Sequence, residues 1–190
     1  MNDTQTTISE LVSRAREAQE QVAEYTQEQV DELCLAVGWE VYNDDNIAEC
    51  ACQAVEETGM GVVADKVTKH KVKVLGVLKE VQGAKTVGLI ERDESTGISK
   101  YAKPVGVVGA LTPVTNPTAT PASNAVSILK GRNAVIFAPH PRAKKSCEVV
   151  CNFMRQGLKK VGAPENLVQW IAEPSVELSQ ELMRRVDRRR

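Results

Sequence analysis

The stretch KPVGVVGALTPVTNPTATP, residues 103–121, decides the fold. Its first part, VGVVGALT (Val105 to Thr112), is a nearly continuous apolar run, the pattern of a strand buried on both faces of a parallel sheet. The turn-forming segment TPVTNPT follows, and Pro121 and Ala122 then open a helix that Gly131 ends. NAVIF (Asn133 to Phe137) repeats the buried-strand signal. Arg142 to Lys160 reads as a second helix closed by Gly162, and LVQWI (Leu167 to Ile171) as a third strand. Pro174 and Ser175 start a last helix carrying Val176, Leu178 and Leu182. A β-α-β-α-β-α series of this kind implies an α/β fold with parallel strands. Ligands of such sheets bind where loops leave the carboxyl ends of the strands. Here those loops are TPVTNPT, APHPRA and AEPS.

Working outward toward the N-terminus, the periodicity changes. TVGLIER and GISKYAK flank the turn-forming DESTG, which predicts an antiparallel hairpin over 85–104. Before it, residues 1–84 read as four helices. Ile8, Leu11, Val12, Ala15, Ala18 and Val22 recur at helical spacing among polar residues, the mark of an amphipathic helix. Thr26 with Gln29 forms a capping-box pattern ahead of Val30 and Leu33, so a second helix starts there. Asn43 caps a third that runs to a Gly59 stop, and a fourth covers Ala64 to about Val81. The chain therefore divides into a helical segment (1–84), a hairpin (85–104) and a partial dinucleotide-binding α/β unit (105–190).

Composition narrows the partners. Basic and acidic side chains number 24 and 25, a net charge of -1, which gives no electrostatic reason to expect nucleic acid or an anionic membrane. No segment approaches the roughly 20 apolar residues of a membrane span, and no basic, then apolar leader opens the chain. A cytoplasmic protein is expected. Five cysteines, an odd number, point to free thiols in a reducing compartment. Neither Cys147 with Cys151 nor Cys50 with Cys52 has ligand-spaced histidines, so no metal site is expected. Buried small hydrophobes are the expected role of these thiols.

Three separated motifs carry a resemblance: KPVGVVGALTPVTNPTATP, GRNAVIFAPHPRAKKS and WIAEPSVELSQELM. In this order they resemble the cofactor-domain motifs of the CoA-acylating aldehyde dehydrogenases, which include the aldehyde dehydrogenase half of bifunctional aldehyde-alcohol dehydrogenases. The resemblance runs from the N-terminal helices to about Met183. It implies aldehyde dehydrogenase-like N-terminal helices followed by a partial parallel Rossmann-type sheet. It also implies oxidation of a small-molecule aldehyde with NAD or NADP and transfer of the acyl group to CoA. In that mechanism a cysteine thiolate attacks the aldehyde, hydride passes to the nicotinamide and a thioester is handed to CoA.

By its place in TPVTNPT, Asn116 matches the family asparagine whose amide stabilises the oxyanion. A neutral, fixed donor suits that task because its strength does not change with pH. The competing reading is an Asx-type turn before Pro117. Thr112, Pro113 and Val114, with Asn116 beside them, would line the nicotinamide side, and Ala138, Pro139 and His140 the adenosine and phosphate side. Non-acylating relatives carry a lysine at about Ala138, so ribose recognition differs and NAD versus NADP stays open. His140, between two prolines, could bond a phosphate or brace its own loop. None of the cysteines lies in a strand-end loop facing Asn116. In the family the nucleophile follows a later TGG segment, and LMRRVDRRR departs from that pattern, so a truncated chain, inactive alone, is expected. An apolar sheet edge would then be left open and invite association, while a homo-oligomer is implied for the longer form. A non-catalytic module docking a partner through its N-terminal helices is the alternative; the amphipathic first helix alone supports it.

Overall fold

The computed structural model describes residues 3–186. Four helices come first: α1 (Asp3–Val22), α2 (Gln27–Glu40), α3 (Asp44–Thr58) and α4 (Val63–Val81). Their ends follow local chemistry. Thr26 and Gln29 form a reciprocal capping box at α2, Asn43 accepts the Asn46 N–H at α3, and Gly59 ends α3 in the left-handed region. The strands β1 (Gly88–Asp93) and β2 (Ile98–Ala102) then pair as an antiparallel hairpin.

The remaining elements are β3 (Val107–Thr112), α5 (Ala119–Lys130), β4 (Ala134–Pro139), α6 (Lys144–Lys160), β5 (Val168–Trp170) and α7 (Val176–Val186). The sheet is parallel, in the order β3-β4-β5, with Val107 opposite Ala134 and Val135 opposite Val168. Every residue of the central strand β4 is buried. Helices α5 and α6 cover one face with α2 outside them, and α1 and α7 cover the other. The apolar stripe of α1, Ile8 through Val22, is spent on this core and is not free for a partner. After β5 the chain continues into α7, which packs on β3 and on α1. The carboxyl ends of these parallel strands, where ligands of such sheets bind, open toward the start of α7.

Several boundaries differ from those read in the sequence. β3 begins at Val107 rather than Val105 because the Asn133 side chain takes the N–H groups of Val105 and Gly106 at 2.7 and 3.0 Å. α5 begins at Ala119, two residues before Pro121. Proline is tolerated there because a first-turn N–H has no helical partner. Residues Pro141–Ala143 form a separate 3-10 turn, so Arg142 precedes α6. β5 keeps only three residues because Leu167 closes a 3-10 turn, although Ile171 N–H still reaches the Phe137 carbonyl at 2.9 Å.

Two glycines set close approaches. A Cβ at Gly157 would lie 2.8 Å from the Ala36 carbonyl oxygen, so its absence lets α6 settle on the backbone of α2. A Cβ at Gly109 would meet Met183 at 2.9 Å, so its absence lets α7 lie down on β3. No helix among the described residues is long and apolar enough to cross a membrane. The arginines at positions 188, 189 and 190 lie outside the described residues.

Candidate active site

At the carboxyl ends of β3 and β4 the structure opens a groove of about 360 Å³. Thr112 supplies its floor from β3, Ala138 and Pro139 from β4, and His140 from the loop beyond. The other wall is the start of α7, with Pro174, Ser175, Val176, Ser179 and Met183. Proline rings, Leu111, Val176 and Met183 make the walls mostly apolar, while Thr112, Ser175, Ser179 and Gln180 place hydroxyls and an amide at them. Wider clefts of about 640 and 810 Å³ lie elsewhere, one beside α1 and β5, the other beside the hairpin. They gather no residues from the ends of two adjacent parallel strands, so the smaller groove is the better candidate.

The groove thus brings together Thr112, Ala138, Pro139 and His140. It does not include Pro113, Val114 or Asn116, which sit on the loop leading away from β3. Thr112 and Ala138 are buried, and Ala138 offers only a methyl group where a lysine would offer an ammonium. His140 is exposed and its Nδ1 accepts the Arg142 N–H at 3.1 Å, so one ring nitrogen braces the 3-10 turn. Its backbone N–H continues the strand pairing to the Thr112 carbonyl at 3.2 Å. Nor is the start of α6 an open anion site, since the Glu57 carboxylate already accepts from Lys145 N–H, Ser146 N–H and the Ser146 hydroxyl.

Asn116 is half-buried, and its side-chain amide has no hydrogen-bond partner among the described residues. The Asx-type turn to the backbone two residues on is therefore not formed. Only its carbonyl is engaged, by Thr120 N–H at 3.4 Å. Two side chains of α4, absent from the sequence reading, hold the flanks of this loop. Lys66 Nζ donates to the Thr115 carbonyl at 2.9 Å, and His70 Nδ1 lies 3.3 Å from Thr118 Oγ1. Burial, with repulsion from Lys69, holds the Lys66 ammonium below its usual range. Burial also pushes the His70 imidazole down to about 4, opposed by the Val41 backbone, and its Nε2 has no partner. The signal for both was their four-residue spacing on α4, with His70 sharing the inward face with Val74.

Four of the five thiols are sequestered in the core. Cys34, Cys50, Cys147 and Cys151 are buried, while Cys52 is exposed, a correction to its reading as a buried hydrophobe that follows from its place on the outer face of α3. Burial raises Cys34 and Cys50 to about 12 and raises Cys151 as well, with Cys147 beside it adding to the effect. No group of three potential metal ligands occurs among the described residues.

Residues 1–189 match the aldehyde dehydrogenase family. Over 180 residues the chain is 64% identical to a sulfoacetaldehyde dehydrogenase of Acholeplasma sp, covering 95% of this chain and 37% of that protein. It is 63% identical over 178 residues to an acylating sulfoacetaldehyde dehydrogenase of Bilophila wadsworthia, covering 94% of this chain and 38% of the relative. The chain thus spans under two fifths of these relatives' length. Among solved structures, an acetylating aldehyde dehydrogenase from Geobacillus thermoglucosidasius superposes with a TM-score of 0.91 at 33% identity, over 95% of this chain and 39% of that one. A propionaldehyde dehydrogenase of Rhodopseudomonas palustris, holding CoA and an acylated cysteine, superposes at 0.78 with 31% identity, over 93% and 39%. With residues 1–189 matched to its model and acylating relatives covering nearly the whole chain, the chain belongs to the aldehyde dehydrogenase family.

Proposed function

We propose that these residues form the cofactor-side part of a CoA-acylating aldehyde dehydrogenase, which converts an aldehyde, CoA and NAD or NADP to an acyl-CoA and the reduced nucleotide. The observation that carries this reading is the groove at the carboxyl ends of two adjacent parallel strands, built from Thr112, Ala138, Pro139 and His140 and closed by α7. Its volume and apolar walls suit one planar ring system with polar contacts around it. A nicotinamide cofactor bound there supplies the hydride acceptor. Thr112, Pro113 and Val114 would border the nicotinamide end, and Ala138, Pro139 and His140 the adenosine end. His140 keeps only Nε2 for a phosphate, its Nδ1 being engaged with Arg142.

Asn116 would donate its free amide to the oxygen that becomes negative during acyl transfer. Cys34, Cys50 and Cys151 are buried with their pKa raised, Cys147 is buried beside Cys151, Cys52 faces outward from α3, and none of the five lines the groove, so the 190 residues alone are proposed to be inactive. The aldehyde we favour is sulfoacetaldehyde, the substrate named for the two relatives above 60% identity. The division at 84/85 and 104/105 belongs to the same proposal, as does a homo-oligomer; the exposed Leu89, Ile98 and Tyr101 of the hairpin support the latter.

A chimera tests this reading. Residues 1–186 of this chain, joined to the remaining part of the Acholeplasma relative, should catalyse sulfoacetaldehyde- and CoA-dependent NAD(P) reduction, whereas the 190-residue chain should not. A folded chimera without turnover would sink the proposal. So would turnover by the 190-residue chain that disappears on Cys147→Ala or Cys151→Ala.

A further inference from the structure

Lys66 and His70 stand four residues apart on α4, a spacing that puts both on one helix face. Their contacts fall on either side of the loop that carries Asn116. Lys66 holds the Thr115 carbonyl at 2.9 Å, one residue before it, and His70 meets the Thr118 hydroxyl at 3.3 Å, two residues after it. Little else fixes the asparagine locally, since its amide is unpartnered and its carbonyl makes only the 3.4 Å contact with Thr120. We propose that α4 clamps this loop, Lys66 and His70 being positioning residues that fix the Thr115–Thr118 turn and thereby aim the Asn116 amide. The inference rests on the reading of Asn116 as an oxyanion donor.

Two features separate this from ordinary helix packing. A buried imidazole whose Nε2 makes no well-formed hydrogen bond, with only a favourable influence from the Val41 backbone, is a costly choice at a site where Val or Leu would pack without that penalty, and its one side-chain contact at hydrogen-bond distance is the one with Thr118. The lysine reaches across 49 positions of sequence to a single carbonyl and takes no part in capping α4, which begins at Val63 and whose N-cap Val62 makes no side-chain bond. A flexible ammonium that converges on the loop rather than turning to solvent gives up rotamer freedom for that bond. The pair works as two pins on one rigid rod, and the loop between them has no freedom to rotate about Pro117.

The test reads Asn116 directly in the intact 15N-labelled chain, with its side-chain amide signal assigned by its loss in Asn116→Asp. In Lys66→Met the Asn116 amide pair should shift and broaden, and the backbone amides of Thr120 and Ala122, which donate to the Asn116 and Thr118 carbonyls, should exchange at least roughly 10-fold faster, as expected of a locally opened segment. The side-chain amides of Asn43 and Asn166, remote from the loop, should stay in place. Lys66→Arg should restore the native signals, because a guanidinium can donate the same bond, and His70→Asn should reproduce the faster exchange of Ala122. Lys66 is partly exposed, so its substitution leaves the core intact; should His70→Asn unfold, the Lys66 pair decides alone. Unchanged Asn116 signals and exchange in folded Lys66→Met, or loosening that Lys66→Arg does not reverse, would overturn the clamp. No chemistry enters this readout, so its failure is distinct from a failure of the oxyanion reading, which only turnover can register.

Discussion

Asn116→Ala in the active chimera is expected to lower kcat by roughly 10²–10³-fold, about 3–4 kcal/mol of transition-state stabilisation. The size follows from what the side chain would do. Negative charge grows on the aldehyde oxygen as the thiolate adds and again as CoA attacks, and a fixed neutral donor in a site shielded from water is worth more there than in solvent. An interaction made only in the transition state moves kcat and kcat/KM together and leaves dinucleotide affinity alone. Stability should hardly change, because the Asn116 amide has no internal hydrogen bond to lose and the residue is only half-buried. Steady-state kinetics with a thermal melt of the same preparation checks both halves. A loss under about 3-fold, against the range expected for a lost oxyanion donor, would reduce Asn116 to a turn residue.

The second large effect is a fall in stability between neutral and mildly acid pH, traceable to His70. In the folded chain its pKa is pushed from 6.5 to about 4, chiefly by burial. Between those values the unfolded chain binds more protons than the folded one, so stability rises with pH across the window. The contribution is complete above pH 6.5 and is lost as pH falls toward about 4. At about 1.4 kcal/mol per pKa unit, the whole window corresponds to about 3 kcal/mol. Asp93, held down to about 2 by the Ser95 and Thr96 hydroxyls and the Ser95 N–H, loses its share only below its ordinary value of 3.8 and does not enter the window. Urea unfolding at pH 7.0 and 4.5 should therefore differ by about 2–3 kcal/mol in the native chain, with the difference largely gone in His70→Asn. Equal pH dependence in both chains would show that His70 is protonated at little cost.

Much of this architecture was legible in the sequence because its signals are local. Thr26 with Gln29, Asn43 with Gly59, and the apolar runs ending at Thr112 and Phe137 each act within a few residues, and each produced the element expected. The misplaced boundaries are of two kinds, one set by a side chain distant in sequence and the other by a short-range turn. Asn133 pulls residues 105 and 106 out of the strand, and a turn held by His140 takes the first residues assigned to α6. The site divided in the same way. Periodicity placed Thr112 and Ala138 at strand ends, and the sheet brought them together, but no local pattern connects Lys66 to Thr115 or His70 to Thr118, 49 and 48 positions away. The wall contributed by α7 was foreseeable only in part, since it depends on α7 folding back across Gly109.

The cofactor groove is the centre of this account, and chemical-shift mapping of the 15N-labelled chain with NAD and NADP up to millimolar concentration tests it most directly. Weak binding is expected, with shifts gathered at Thr112, Ala138, His140, Val176 and Ser179, and weakened by Val176→Glu, which sets a negative charge at the exposed mouth of the groove without touching the core. A folded chain with no shifts at these residues, or with shifts collected instead in the cleft of Arg14, Arg155 and Trp170, would contradict it.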